Sequence, residues 1–485
     1  MRLFALAFAS LLAAHGLAQT AAETTVTKQH RIVIGGKTLD YETKVGRMPI
    51  KNRNGETEGH IGYTYYRMPG KTGRPITFVW NGGPGSASIW LHMGMVGPKR
   101  VAMKSPEGFM PQPPFNLVTN EESLLPTSDF VCVDPVGTGL GRPARPELGT
   151  RFWGVQEDIA SVGEFIRSFL GENDRWLSPI FLLGESYGTF RAAGVSNWLV
   201  DNGIAVNGIV MVSTLTNYGT VRSDNSNPIP IALNLPSMAA TAWYHKRLSP
   251  AMQKKSVKEV ADEARAWMYS TLIPMYGKGW SMTAKEQAEV NEGVAKFTGL
   301  SLDFVRKVDG RVTLGQFWGE LLRDQRLSVG RLDGRFTGYQ RSGAQASADY
   351  DASNTDITPP FTATWNDYLR NELGYQTDLK YYVLGEGLSG PWNFGNGIAD
   401  TSEALRQAMV KNPFMRVMYV NGYYDFATPF AACEFGVYQA PLDARLRKNI
   451  EFTYYEAGHM MYLHDGSRKK LMLDVNDFMR RAMTR

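Results

Sequence analysis

The chain predicts an α/β fold: a mostly parallel sheet flanked by helices, carrying a mainly helical cap insertion. Three observations predict it. Short apolar strand patterns alternate with helical ones from Ile76 to Val212, and the alternation returns from Arg416 to Met483. Between residues 224 and 365 the alternation stops and helical periodicity dominates. At the centre, the strand-like run Ile180–Leu183 passes through Gly184-Glu185-Ser186-Tyr187-Gly188 into a helical segment, Thr189–Val200. A strand, a G-x-S-x-G turn and a helix in that order lift a serine hydroxyl out of a sheet.

Length and composition set the frame. A chain of 485 residues can bury a large core and still carry an insertion. With 43% hydrophobic and 20% charged residues it is globular in composition. A net charge of +5 without a clustered basic stripe argues against a nucleic-acid partner. Arg2 precedes an apolar run, Leu3–Ala14, broken only by Ser10, and Gly16-Leu17-Ala18 supplies small residues for cleavage. Residues 1–18 therefore read as a secretory signal peptide, which predicts an exported, periplasmic or secreted protein. No later stretch is apolar for long enough to span a bilayer, so no integral membrane segment is expected. Cys132 and Cys433, the only cysteines, read as two buried thiols.

The first part of the predicted core covers residues 19–223. Arg31–Gly36 and Ile61–Tyr66 alternate and are rich in turns, which suggests antiparallel strands at a sheet edge. Ile76–Trp80 is a buried strand running into Asn81-Gly82-Gly83-Pro84-Gly85-Ser86. A glycine-rich loop at a strand end can aim backbone N–H groups at negative charge. Asp129–Val133 is another buried strand, followed by the loop Asp134–Gly141. In Val155–Phe169, Ile159, Val162, Phe165, Ile166 and Phe169 recur at helical spacing, and Gly171 closes the helix. After the serine turn and its helix comes the strand Ile209–Val212.

The insertion, residues 224–365, opens with clustered asparagine and proline. Met252–Ile273, Thr283–Phe297 and Leu314–Leu322 read as helices, and residues 329–365 as polar and turn-rich. Such an insertion caps the C-terminal ends of the strands, where a site lies. Asp349, Asp351 and Asp356 lack the ordered spacing of a calcium loop, so no metal is expected. The second part of the core, residues 366–485, supplies the strands Arg416–Val420 and Glu451–Tyr455 and a helix over Arg468–Met483. Asp425 follows the first strand and His459 the second.

A serine hydroxyl needs a base to take its proton, and the base needs a third group to fix its tautomer. Of seven histidines, only His459 sits in a glycine-flanked loop after a C-terminal strand. The order Ser186, Asp425, His459 is that of nucleophile, acid and base on this kind of sheet. His464 and Asp465 form a fallback pair.

These pieces together resemble the serine carboxypeptidase family of α/β-hydrolases, in a bacterial-type exported form. The resemblance rests on Asn81-Gly82-Gly83-Pro84-Gly85, Asp134–Gly139, Gly184-Glu185-Ser186-Tyr187-Gly188, Asp425 and Ala457-Gly458-His459-Met460. It implies that Ser186 attacks the carbonyl, that His459 serves as base and then acid, and that Asp425 orients it. It implies an oxyanion hole from the backbone N–H groups of Gly83 and Tyr187. It further implies that Asn81 and Glu185 bind the free C-terminal carboxylate of a peptide substrate, with no cofactor. A carboxyl facing a carboxylate is repulsive unless a proton lies between them, so the resemblance also implies a preference for acidic pH. The chain departs from the family in three places. Met95 stands where an acidic residue is common, Trp80 rather than Val79 carries the tryptophan before the glycine loop, and Asp425 and His459 lie close in sequence. An esterase or acyltransferase on the same scaffold is the alternative, and a non-catalytic binding protein a remoter one. Asn81 and Glu185 discriminate, because a neutral ester has little use for them.

Overall fold

The structure is a computed structural model that describes residues 25–70, 73–224, 226–345 and 347–484. The signal-peptide reading of residues 1–18 lies outside the described residues.

One sheet organises the described chain. Its main strands are β1 (Val26–Ile34), β2 (Lys37–Lys51), β3 (Thr57–Arg67), β4 (Ile76–Trp80), β5 (Asp129–Asp134), β6 (Ile180–Ser186), β7 (Gly208–Thr214), β8 (Arg416–Gly422) and β9 (Ile450–Tyr455). They lie in the order β1-β2-β3-β5-β4-β6-β7-β8-β9, with the short strand Arg142–Pro143 beside β3. β1, β2 and β3 pair antiparallel, and β3 is antiparallel to β5. From β5 through β4 to β9 every pairing is parallel. β4, β5 and β7 are buried along their whole length, as strands covered on both faces must be.

The pleat divides the side chains between two cores. Leu182, Ile209 and Met211 face one side, where α1 (Val155–Glu172) and α2 (Tyr187–Asp201) bring Ile159, Val162, Phe165, Phe190 and Leu199. α1 runs through Gly171 rather than ending there, and Asn173 caps it. The insertion builds a third core. In it α3 (Val257–Trp267) and α4 (Ala284–Thr298) pack Val260, Ala264, Val290 and Phe297 against Tyr423, Tyr424 and Phe426 of the loop after β8. α5 (Ala352–Asp367) packs Phe361 and Trp365 on the segment that follows the glycine loop. α6 (Asp465–Met483) covers the opposite face of the sheet, where Leu471, Val475 and Phe478 meet Phe181, Leu183, Val210 and Val420. This strand order, with the serine strand central and helices on both faces, is the α/β-hydrolase fold.

Two expectations within the insertion are corrected. The stretch Met252–Ile273 is not one helix. A short helix stops at Gln253, and Ser256 caps α3 through a reciprocal bond pattern with Glu259. That capping box satisfies the Ser256 and Glu259 N–H groups, which a continuous helix would have paired with the carbonyls of Met252 and Lys255. The stretch read as turn-rich up to residue 365 ends instead in α5, which contains Pro359 and Pro360 and continues across position 365. Two prolines remove two ladder N–H groups, but Ile357, Phe361, Thr364 and Trp365 form a buried helical stripe that holds the segment.

Candidate active site

Ser186 ends β6 and caps α2 with φ 59 and ψ −130, a left-handed conformation that serine rarely adopts. The surrounding glycines are required by close approach. A Cβ on Gly184 would lie 2.3 Å from the Gly188 oxygen, and one on Gly82 would lie 2.4 Å from the Tyr187 nitrogen. Only glycines let the loop after β4 settle over the start of α2. Trp80 ties the two together, because its indole N–H donates to the Gly188 carbonyl at 2.8 Å. Trp80 thus braces the turn. Tyr187 is the first residue of α2, so its N–H has no partner within the helix. Gly83 has φ 101, and its N–H makes no backbone hydrogen bond among the described residues.

His459 and Asp425 meet directly. The His459 Nδ1 and Asp425 Oδ2 lie 2.8 Å apart, both residues being buried. Asp425 Oδ1 accepts from the Ala427 and Thr428 N–H groups, and Oδ2 also accepts from the Thr428 hydroxyl. Burial raises the Asp425 carboxyl, but the charge and hydrogen bond of His459, with Thr428, hold it below its ordinary value. Burial opposes the charged imidazole of His459, yet Asp425 outweighs it and raises the ring. The loops bearing the two residues are pinned by one segment of the insertion. The Phe426 N–H donates to the Arg331 carbonyl, the His459 N–H to the Leu332 carbonyl at 2.6 Å, and the Gly458 N–H to Asp333 Oδ2 at 2.8 Å. Asp333 is itself held by Arg335, which also reaches Glu107.

Asn81 and Glu185 are brought together beneath the serine. The Asn81 amide donates to Glu185 Oε1 at 2.9 Å, and Asn81 Oδ1 accepts from the Leu91 N–H. Glu185 Oε2 is buried without a hydrogen bond. Burial pushes this carboxyl up to about 7, opposed by His459, Tyr462 and Asn81. The backbone of Asn81 is anchored from behind, where fully buried Arg191 donates to its carbonyl at 2.8 Å and to Asp158 Oδ2 at 2.7 Å.

Asn81, Gly83, Glu185, Ser186 and His459 all line one cavity of about 350 Å³, which the insertion closes with Arg331, Leu332, Asp351, Asn354 and Ile357. Tyr187 is not among the residues lining this cavity; it stands next to Ser186 as the first residue of α2. A cavity of about 340 Å³ walled by Leu405, Met409, Tyr419 and Phe452 lies elsewhere; Ser402 lines it, but no histidine, aspartate or glutamate does. The fallback pair has other duties. His464 Nδ1 lies 2.9 Å from the Ser467 hydroxyl and caps α6, and Asp465 pairs with Arg468. Met95 is buried in the hydrophobic core, not on the cavity wall. Cys132 and Cys433 are buried and unpaired. Among the described residues no cluster of three or more His, Cys, Asp or Glu is placed to hold a metal, and no helix is long and apolar enough to cross a membrane.

Sequence reasoning missed Arg331 and Asp333. They sit in Gly330-Arg331-Leu332-Asp333-Gly334-Arg335, where the paired glycines mark a tight loop but nothing marks its neighbours in space.

No protein-family model matches the chain, and no curated protein matches it. Solved structures resemble it in outline. A proline iminopeptidase from Mycobacterium smegmatis shares 13% identity over 94% of this chain and 98% of that one, with a TM-score of 0.35. A lipase in its open form shares 13% identity over 91% and 100%, with a TM-score of 0.36. A soluble variant of the monoglyceride lipase of Saccharomyces cerevisiae, in complex with a substrate analogue, shares 11% over 90% and 96%, with a TM-score of 0.38. At such scores the fold rests on the strand order given above, and no activity of those proteins is carried to this chain.

Proposed function

We propose that the protein is a serine-type carboxypeptidase, releasing the C-terminal residue of a peptide through an acyl-enzyme. The Ser186 Oγ attacks the scissile carbonyl carbon and gives its proton to His459 Nε2. The C–N bond then breaks, and the leaving amine takes that proton. Water, deprotonated by His459, attacks the ester and frees Ser186. Asp425 keeps the Nδ1 proton of His459 in place, and the N–H groups of Gly83 and Tyr187 receive the oxyanion. Export, expected from residues 1–18, would put this activity in a periplasmic or external compartment.

The observation that carries the reading is Glu185, a buried carboxyl raised to about 7, adjacent to the nucleophile and opening on its cavity. Below that pH it is neutral and can donate a hydrogen bond to a substrate carboxylate. Above it, two anions face one another. An esterase for neutral substrates has no use for such a group.

The test compares an N-blocked dipeptide with its C-terminal amide at about pH 5 and about pH 8, on either side of the Glu185 titration. The free acid should be preferred at the lower pH, and the preference should shrink by roughly tenfold at the higher pH as Glu185 ionises. Glu185→Gln, which cannot ionise, should remove that pH dependence. Equal turnover of acid and amide at both pH values would replace this reading with an esterase or endopeptidase.

A further inference from the structure

We propose that Arg331 is the carboxylate receptor of the cavity, a specificity residue supplied by the insertion to the nucleophile. The inference rests on acyl transfer by Ser186, but not on the role given to Glu185. The ionisable residues lining the cavity are Glu185, His459, Asp351 and Arg331. Arg331 is the one guanidinium among them.

Its position is set by the triad loops. The Arg331 N–H donates to Asp351 Oδ1 at 2.9 Å, and its carbonyl accepts from Phe426, the residue after Asp425, at 3.1 Å. The next residue, Leu332, holds the His459 N–H. Arg331 therefore leaves the backbone at a point fixed relative to both acid and base. Its guanidinium makes no ion pair or hydrogen bond with the described residues, unlike those of Arg191 and Arg335, which are matched to Asp158 and Asp333. Its charge reaches the imidazole, since Arg331 is among the groups that lower His459. It reaches Tyr218 as well.

Asp351 does not neutralise the guanidinium by contact. Its Oδ1 accepts from the N–H groups of Arg331 and Ser353 and from the Ser353 hydroxyl, as the cap of α5. Arg331 is exposed and lines the cavity beside Ser186, and a guanidinium is a planar fork of N–H donors that matches a carboxylate. That carboxylate has two sources: the α-carboxylate of the leaving residue, or the side chain of an aspartate or glutamate beside the scissile bond.

Two substrate pairs separate the sources: an N-blocked dipeptide against its C-terminal amide, and the same dipeptide ending in glutamate against glutamine. Arg331→Gln should lower kcat/KM for the carboxylate-bearing member of one pair by roughly 10- to 100-fold, the loss of a charge-assisted bidentate contact, and change its neutral partner by less than about threefold. Arg331→Lys should recover part of the difference, because it restores charge without the fork. The pair that responds names the source. The Arg331-dependent preference should persist at about pH 8, where that of Glu185 fades. If Arg331→Gln leaves both preferences intact while turnover still requires Ser186, the assignment of Arg331 is overturned and the carboxypeptidase reading stands. If the wild type discriminates in neither pair, both are overturned.

Discussion

Asp425→Asn is expected to lower kcat by about 10⁴-fold while the protein stays folded, and Ser186→Ala by about 10⁶-fold. Asp425 receives four hydrogen bonds, three from Ala427 and Thr428 and one from His459 Nδ1. Asparagine can keep the two backbone N–H contacts by presenting its oxygen at the Oδ1 position, which turns its NH2 toward the Thr428 hydroxyl and His459 Nδ1. It cannot then accept the Nδ1 proton with a charged oxygen. The imidazole is freed to carry its proton on Nε2, the nitrogen that must be empty to activate Ser186. The loss therefore falls on kcat and not on folding. Residues that act as one unit do not add. The double variant should accordingly be no slower than Ser186→Ala alone. Single-turnover kinetics on an activated ester, with labelling by a serine-reactive phosphonate, check this. A fall of less than about tenfold in Asp425→Asn would remove Asp425 from the orienting role.

The parts of the site that sequence revealed are those set by local geometry. The glycines at 82, 184 and 188 are required by contacts under 3 Å and are legible as a motif. The burial of β4, β5 and β7 is legible as short, largely apolar runs. What stayed hidden depends on distant partners. α5 was masked because Pro359 and Pro360 outweigh its apolar stripe until Trp90 and His92 supply the surface it covers. Arg331 and Asp333 acquire meaning only when their loop docks on Phe426, Gly458 and His459. Met95 reads in sequence as a missing clamp acid. In space it is a core side chain, and the raised carboxyl beside Ser186 is Glu185.

Asp158→Ala is expected to destabilise the protein by about 3–5 kcal/mol, the range for removing one partner of a buried ion pair. Asp158 and Arg191 are 1% and 0% exposed in their side chains, and they lie 2.7 Å apart between α1 and α2. Burial outweighs the arginine and holds the Asp158 carboxyl above its ordinary range, so desolvation is the larger effect at this pair. Alanine at 158 leaves the guanidinium buried with the Asn81 carbonyl and the Tyr187 ring as company, neither of which carries a countercharge. Asp158→Leu combined with Arg191→Met removes both charges and should recover most of the stability, to within about 1–2 kcal/mol of wild type. Activity should not recover with it. The Arg191 contact to the Asn81 carbonyl anchors the start of the glycine loop beside the head of α2, which bears the proposed oxyanion donors. Loss of one such donor costs roughly 10²–10³ in kcat. Denaturant midpoints and kcat measured on the same three proteins separate the two roles. A double variant restored in both would make the pair purely structural; one restored in stability alone would show that the buried arginine is kept for the geometry of the loop above it.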